Sequence, residues 1–363
     1  MVYTARRRRW GWAFMAAALA GAAARALTWA GQGVVGWLGP AAPPAVAFGP
    51  ASALGAGMPL PTPLILGYYD GGGVGSAGYR DLVRLTGTLT GIVPDWYEIW
   101  SQGQITGSSD PGVLAYARAH GMWVFALVQQ NQDPAVFHVL LTHPAYRARA
   151  VGNLVRLVES GGYDGLNLDF EGVRASDRAA FTRFVRTLAA ALHARGDYLT
   201  LSVPAETADE PANPWTGAYD YRALGRAADL LLVMAYDDHW AGGPPGGVAP
   251  TPWVEAVVRY AVRAVGPGKV VLGVPAYGYD WGGAAPAQPL SYAQAVALDD
   301  AYARGRAGAH FAYVSGGTVH EVYFEDLATF RAKAGLAVAY DLRGIALWRL
   351  GIEDPAIWRL VRP

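Results

Sequence analysis

Tyr163-Asp164-Gly165-Leu166-Asn167-Leu168-Asp169-Phe170-Glu171 alternates polar and apolar residues through its second half. Successive side chains of a β-strand point to opposite faces, so Asn167, Asp169 and Glu171 share one face while Leu166, Leu168 and Phe170 share the other. Burying three polar groups costs free energy unless the fold uses them. An apolar outer face, a polar inner face and a carboxylate at the C-terminal end suit a closed parallel barrel. There, helices cover the outside and chemistry collects where the strands end.

Outward from this strand, the chain alternates short apolar runs with longer helical patterns. The other expected strands are Leu64–Tyr69, Gly91–Tyr97, Trp123–Val128, Leu199–Pro204, Leu230–Asp237, Val270–Gly278 and Gly344–Gly351. Most read as continuous Val, Ile and Leu, the pattern of strands buried on both faces. Asp110-Pro111 supplies a cap and a first-turn proline, and Thr251-Pro252 repeats the pattern. Ser176 is expected to cap a helix that carries Phe181, Phe184, Val185, Leu188 and Leu192 on one stripe and stops at Gly196. Eight strands alternating with helices over about 300 residues define an α/β fold, a (β/α)8 TIM barrel. A doubly wound open sheet is the competing fold for such an alternation. Residues 279–343 are more than one helix requires. Within them His310–Ser315 and Thr318–Phe324 read as a hairpin turning at Gly316-Gly317, which predicts a small α+β insertion between strands seven and eight.

Composition narrows the partners. Basic and acidic residues balance at 29 each, which speaks against nucleic acid and for a neutral or weakly charged substrate. The chain has no cysteine, so disulfides and thiolate metal sites are excluded. Its 13 Trp and 20 Tyr offer apolar faces with polar tips, suited to stacking on sugar rings as well as to core packing. Arg6 to Arg9 followed by the apolar run Trp10 to Ala24 reads as a signal peptide, with Ala24-Arg25-Ala26 as a cleavage site. Residues 1–38 are thus an export signal, or alternatively a membrane anchor. Residues 39–63, rich in Gly, Ala and Pro, read as a linker before a catalytic domain over 64–363. The expected location is outside the cell, and the expected state is a monomer without cofactor or metal.

Two carboxylates as close as Asp169 and Glu171 cannot both ionise freely, and repulsion raises one pKa. Glu171, nearer the mouth, is the natural proton donor; Asp169, deeper, is expected to stay ionised. A buried hydrogen-bonded pair or a carboxylate metal site is the alternative on local chemistry alone. Tyr97, Gln129, Asn131, Tyr277 and Trp281 fall at or just past strand ends, where substrate contacts belong. His120 and His239 lack metal-ligand spacing.

The run Asp164-Gly165 … Asp169-Phe170-Glu171 resembles the signature of glycoside hydrolase family 18, the chitinase family. Strand six ends in Met234-Ala235-Tyr236-Asp237, similar to the family's Met-x-Tyr-Asp, and strand eight carries Trp348. Asp237-Asp238-His239-Trp240 with Gly242-Gly243-Pro244, and Trp348-Arg349-Leu350-Gly351 with Glu353-Asp354-Pro355, look most like members acting on spore-cortex peptidoglycan. The chain departs from the family in having Asn167 where Asp is usual, a form seen in that same group. The resemblance spans Leu64 to Arg362. It implies Glu171 as acid and base, Asp169 orienting an acetamide N–H, Tyr236 bonding the acetamide carbonyl, and Trp348 under the −1 sugar. Asn167 and Asp237 would support that sugar. The implied substrate is an N-acetylglucosamine glycan, peptidoglycan or alternatively chitin. A non-catalytic glycan-binding barrel is the competing class.

Overall fold

The computed structural model describes residues 59–130, 133–283, 286–303 and 308–361. The expected export signal, the linker up to residue 58 and Asn131 lie outside the described residues.

Eight parallel strands close on themselves. In chain order they are β1 (Leu64–Tyr69), β2 (Gly91–Ile99), β4 (Trp123–Gln129), β5 (Gly165–Asp169), β6 (Tyr198–Pro204), β7 (Leu230–Met234), β8 (Val270–Pro275) and β13 (Gly344–Trp348). Each pairs with the next, and β13 pairs back onto β1. A short strand, β3 (Ile105–Gly107), folds back antiparallel on β2. This is the (β/α)8 barrel expected from the alternating apolar runs.

Alternation along the strands makes two cores. Leu64, Leu66, Tyr68, Phe125, Leu127, Leu232 and Ala346 fill the barrel interior. Ile65, Ile92, Val124, Leu166, Leu168 and Leu201 pack outward on the helices. Each fully buried aliphatic or aromatic side chain contributes roughly 1.5–3 kcal/mol, so the barrel is a packed core and not a pore. Leu60 joins the interior cluster, and its carbonyl accepts from the Arg343 guanidinium at 2.5 Å, closing the end opposite the catalytic rim.

The helix Pro111–Ala119, between β3 and β4, starts as read: Asp110 accepts from the amides of Gly112 and Val113 at 2.8 and 3.0 Å, with Pro111 in the first turn. Two caps differ from expectation. The helix Arg178–His193 follows a 3-10 turn at Ala175–Asp177, and Ser176 does not cap it. The helix Thr251–Val265 includes Thr251, with Pro250 before it and no side-chain cap.

The run Val270–Gly278 is two strands. Pro275 ends β8, and the amide of Ala276 turns to the carbonyl of Trp348 at 2.7 Å. The next strand, β9 (Tyr277–Gly282), leaves the barrel and founds a second sheet. With β10 (Gln288–Ser291), β11 (His310–Ser315) and β12 (Thr318–Tyr323) it forms an antiparallel sheet in the order β10-β9-β12-β11. Gly316 and Gly317 take left-handed φ values of 56° and 79°, the geometry of a two-residue hairpin turn. The insertion thus begins at Tyr277. The helix Leu327–Ala339 lies against β8, β13 and the helix Thr251–Val265, in the outer ring of the barrel.

Candidate active site

The floor of the site is neutral. Asn167 is 0% exposed; its amide donates to Thr200 Oγ1 at 2.9 Å, and its Oδ1 accepts from Ser202 Oγ at 2.9 Å. Ser202 Oγ in turn lies 2.8 Å from the hydroxyl of Tyr68. Thr200 Oγ1 also lies 3.2 Å from the carbonyl of Leu166. Both ends of the Asn167 amide are used, which fixes its orientation.

Above it, Asp169 is 9% exposed, and its Oδ1 is buried with no donor in reach among the described residues. Burial first, then the charges of Glu171 and Asp95, push its carboxyl well above the usual range. That direction works against an ionised Asp169, because burial removes the solvation a carboxylate needs. Glu171 lies two residues on, past the end of β5 and partly exposed.

Around this pair the structure gathers several of the predicted residues. Gln129 stands beside Asp169 in the β4–β5 ladder and donates to both oxygens of Asp95, at 3.1 and 3.2 Å. Tyr236 follows β7; burial, then Tyr68, Asp169, Glu171 and Asp237, push its phenol well above the ordinary value. Gly273 on β8 makes room for that ring, since a Cβ there would sit 3.2 Å from it and 2.6 Å from the carbonyl of Val233. Asp237 has a left-handed φ of 63°, and its Oδ1 accepts from Tyr277 and Tyr279 hydroxyls at 2.6 and 3.0 Å. Trp348, half-buried at the end of β13, meets Tyr68 edge-on at 5.1 Å. Trp281 is further out on β9, where its indole donates to the carbonyl of Gly243 at 3.1 Å.

Tyr97 does not join them. A bulge in β2 between Asp95 and Tyr97 turns Tyr97 into the barrel–helix layer, where its hydroxyl bonds that of Tyr163 at 2.7 Å. One extra residue reverses the facing of everything after it. Asp95 keeps the inward direction instead. Arg349 reaches the same corner, 3.0 Å from Asp70. Asp95, Tyr68 and Arg349 were missed in the sequence, although strand parity with Val93 marked Asp95 and parity with Leu64 and Leu66 marked Tyr68.

A closed barrel whose C-terminal rim carries buried acids, phenols and a tryptophan is the framework of a hydrolase acting by proton transfer on a polar, ring-bearing substrate. The family model of glycosyl hydrolases family 18 matches residues 120–353, and the chain belongs to that family. It is a glycoside hydrolase. It is 32% identical over 252 residues to the cortical fragment-lytic enzyme of Bacillus subtilis, covering 66% of this chain and 58% of that enzyme. The chain therefore spans little more than half the length of that relative. Among solved structures, a chitinase from Chromobacterium violaceum aligns at 35% identity and a TM-score of 0.75, over 82% of this chain and 96% of that one. The Bacillus cereus spore cortex-lytic enzyme SleL aligns at 26% identity and a TM-score of 0.75, over 82% and 73%.

Proposed function

We propose that this glycosidase cleaves β-1,4 bonds after N-acetylglucosamine in peptidoglycan, spore-cortex fragments included, with retention of configuration and with the substrate's own acetamide as nucleophile. The carrying observation is Asp169 Oδ1, a buried acceptor with no donor among the described residues, set beside Glu171 and close enough to Tyr236 to raise its phenol. An acetamide N–H supplies the donor that this oxygen lacks.

In this reading the acetamide oxygen of the −1 sugar attacks its own anomeric carbon as the glycosidic C–O bond breaks. Glu171 gives its proton to the departing oxygen. Positive charge appears on the oxazolinium ring beside Asp169, where a poorly solvated carboxylate interacts with it strongly. Tyr236 donates to the acetamide carbonyl and fixes its approach, so much of the rate comes from held geometry. Water then adds to the anomeric carbon and loses its proton to Glu171 as the bond from that carbon to the acetamide oxygen breaks and the acetamide is restored. Trp348 provides the apolar floor for the sugar, and Asp237, held by two tyrosines, bonds its hydroxyls.

The Arg6–Arg9 cluster and the apolar run after it support export, held by a signal peptide or an anchor, to the compartment where peptidoglycan lies. The chain acts there as a monomer. A second reading, hydrolysis of chitooligosaccharides, is favoured by the likeness to the Chromobacterium chitinase. Mass spectrometry of products from peptidoglycan fragments and from chitooligosaccharides, beside Glu171→Gln, decides. Fragments ending in reducing N-acetylglucosamine, absent with the variant, support the first; turnover of chitooligosaccharides alone moves the assignment to chitin. Binding without turnover of either makes the barrel a lectin.

A further inference from the structure

Glu171 sits on a turn, and that turn is held by a residue from the next loop. Phe170 before it is buried in a ring cluster with Phe137 at 4.7 Å and Phe184 at 5.9 Å. Gly172 after it has a φ of 79°, a left-handed bend that glycine takes without strain. Tyr219, from the loop after β6, is 0% exposed, and its hydroxyl donates to the carbonyl of Phe170 at 2.5 Å. The backbone of Val173 and Gly172 faces the phenol oxygen of Tyr219. One phenol therefore holds the carbonyl immediately before Glu171, while its ring packs edge-on against Phe181 at 5.6 Å.

The loop that carries Tyr219 is itself braced. Arg178, the first residue of the helix after the catalytic turn, donates to the carbonyl of Gly217 at 2.8 Å and to Asp209 at 2.7 Å. Asn213 Oδ1 accepts from the amides of Trp215 and Thr216 at 2.9 and 3.1 Å. Gly217 packs so closely that a Cβ there would lie 2.5 Å from the carbonyl of Asn213. The two loops are thus joined at two places, Tyr219 to Phe170 and Arg178 to Gly217.

We propose that Tyr219 is a positioning residue for the proton transfer: its hydroxyl sets the turn at 170–173 so that the Glu171 carboxyl is aimed at the leaving oxygen. It touches no substrate and acts through the backbone. The proposal rests on Glu171 being the acid, and it makes a demand that core packing alone does not. In the bond-cleaving step, only protonation of the leaving oxygen depends on the aim of Glu171.

The test compares the full chain, Tyr219→Phe and Glu171→Gln on an unactivated N-acetylglucosamine oligosaccharide and on a dinitrophenyl glycoside, whose leaving group departs without protonation. Bond cleavage is followed under single-turnover conditions. Misaiming a catalytic group by about 1 Å costs on the order of a hundredfold, so Tyr219→Phe is expected to lose about ten- to a hundredfold on the oligosaccharide with KM nearly unchanged. On the dinitrophenyl glycoside most of that deficit disappears. Equal losses on both substrates, or no loss on the oligosaccharide, overturn the proposal, and a general loosening of the fold gives the first of these. If Glu171→Gln cleaves the oligosaccharide as fast as the parent chain, the assignment of the acid fails first and takes this proposal with it.

Discussion

Asp95 takes the side-chain amide of Gln129 on both carboxylate oxygens, and Gln129 stands in register with Asp169 on the adjoining strand. Burial, then the neighbouring Asp70, push the Asp95 carboxyl up to about 7, while Arg349 and Gln129 oppose them and Glu98 adds to the rise. Asp169 is faced by Glu171, Asp95, Tyr68 and Tyr236. As pH rises through the Asp95 value, a new negative charge holds the Asp169 proton more tightly. Asp95→Asn removes that charge and keeps the side-chain size. The acid limb of kcat/KM against pH, where Asp169 must lose its proton, is expected to move to lower pH. A profile superimposable on that of the parent chain would show that Asp95 does not govern the pair.

Asn167→Asp restores the residue usual in the family but meets a network built for an amide. The bond given to Thr200 Oγ1 is lost, and a second acid enters a fully buried position beneath Asp169. A fully buried carboxyl, with the Ser202 hydroxyl still donating to it, has its pKa raised by burial and by Asp169, so its penalty is absent below the unfolded carboxylate range and grows as the pH rises past it. The variant is expected to be less stable by about 1–3 kcal/mol at neutral pH and closer to the parent in acid. Denaturant melts at the two pH values measure this; equal losses at both would mean that the new acid ionises in the folded chain as readily as in the unfolded one.

The barrel was legible because strands buried on both faces must be apolar, and the runs around Leu66, Phe125 and Leu232 have no other reading at that length. Asp169 and Glu171 were legible because a period of two leaves them no outward option. Legibility stopped where one residue breaks the period. The bulge after Asp95 sends Tyr97 outward. A lone proline, Pro275, ends β8 inside an apolar run, and its missing N–H lets Tyr277 open a different sheet. Tyr219 was beyond reach for another reason. Its contact with Phe170 joins residues 49 apart through a loop with no periodicity to read.

Asp237 depends on the insertion. Two phenols from β9, Tyr277 and Tyr279, converge on one of its oxygens. Hydrogen bonds to a charged group are each worth roughly 1.5–3 kcal/mol, and two on one atom share the task of fixing it. Tyr277→Phe and Tyr279→Phe are each expected to raise KM a few-fold, and the double variant to raise it by more than the product of the two. Steady-state kinetics on one oligosaccharide series measure all three; strictly multiplicative effects would show that the phenols act separately.

Lys333 and Glu325 tie the exit of the insertion to the barrel. Their side chains are 1% and 6% exposed and meet at 2.7 Å, with Lys333 on the helix Leu327–Ala339 and Glu325 on the segment that leads into it from β12. Burial holds the Glu325 carboxyl above its usual range even though Lys333 draws it down. Lys333→Met removes that opposing pull and leaves a buried acid alone. The folded-state pKa then rises further, so the destabilisation is small in acid and grows as pH climbs above the unfolded glutamate value. Breaking a buried pair in this way costs about 3–5 kcal/mol, whereas replacing both partners by apolar groups is often close to neutral. Lys333→Met is therefore expected to unfold far earlier at pH values above neutrality, and Lys333→Met with Glu325→Leu to recover most of the loss. Urea denaturation of the three proteins across pH checks both statements. A double variant as unstable as the single one would mean that the pair sets the local structure and does not merely satisfy its own charges.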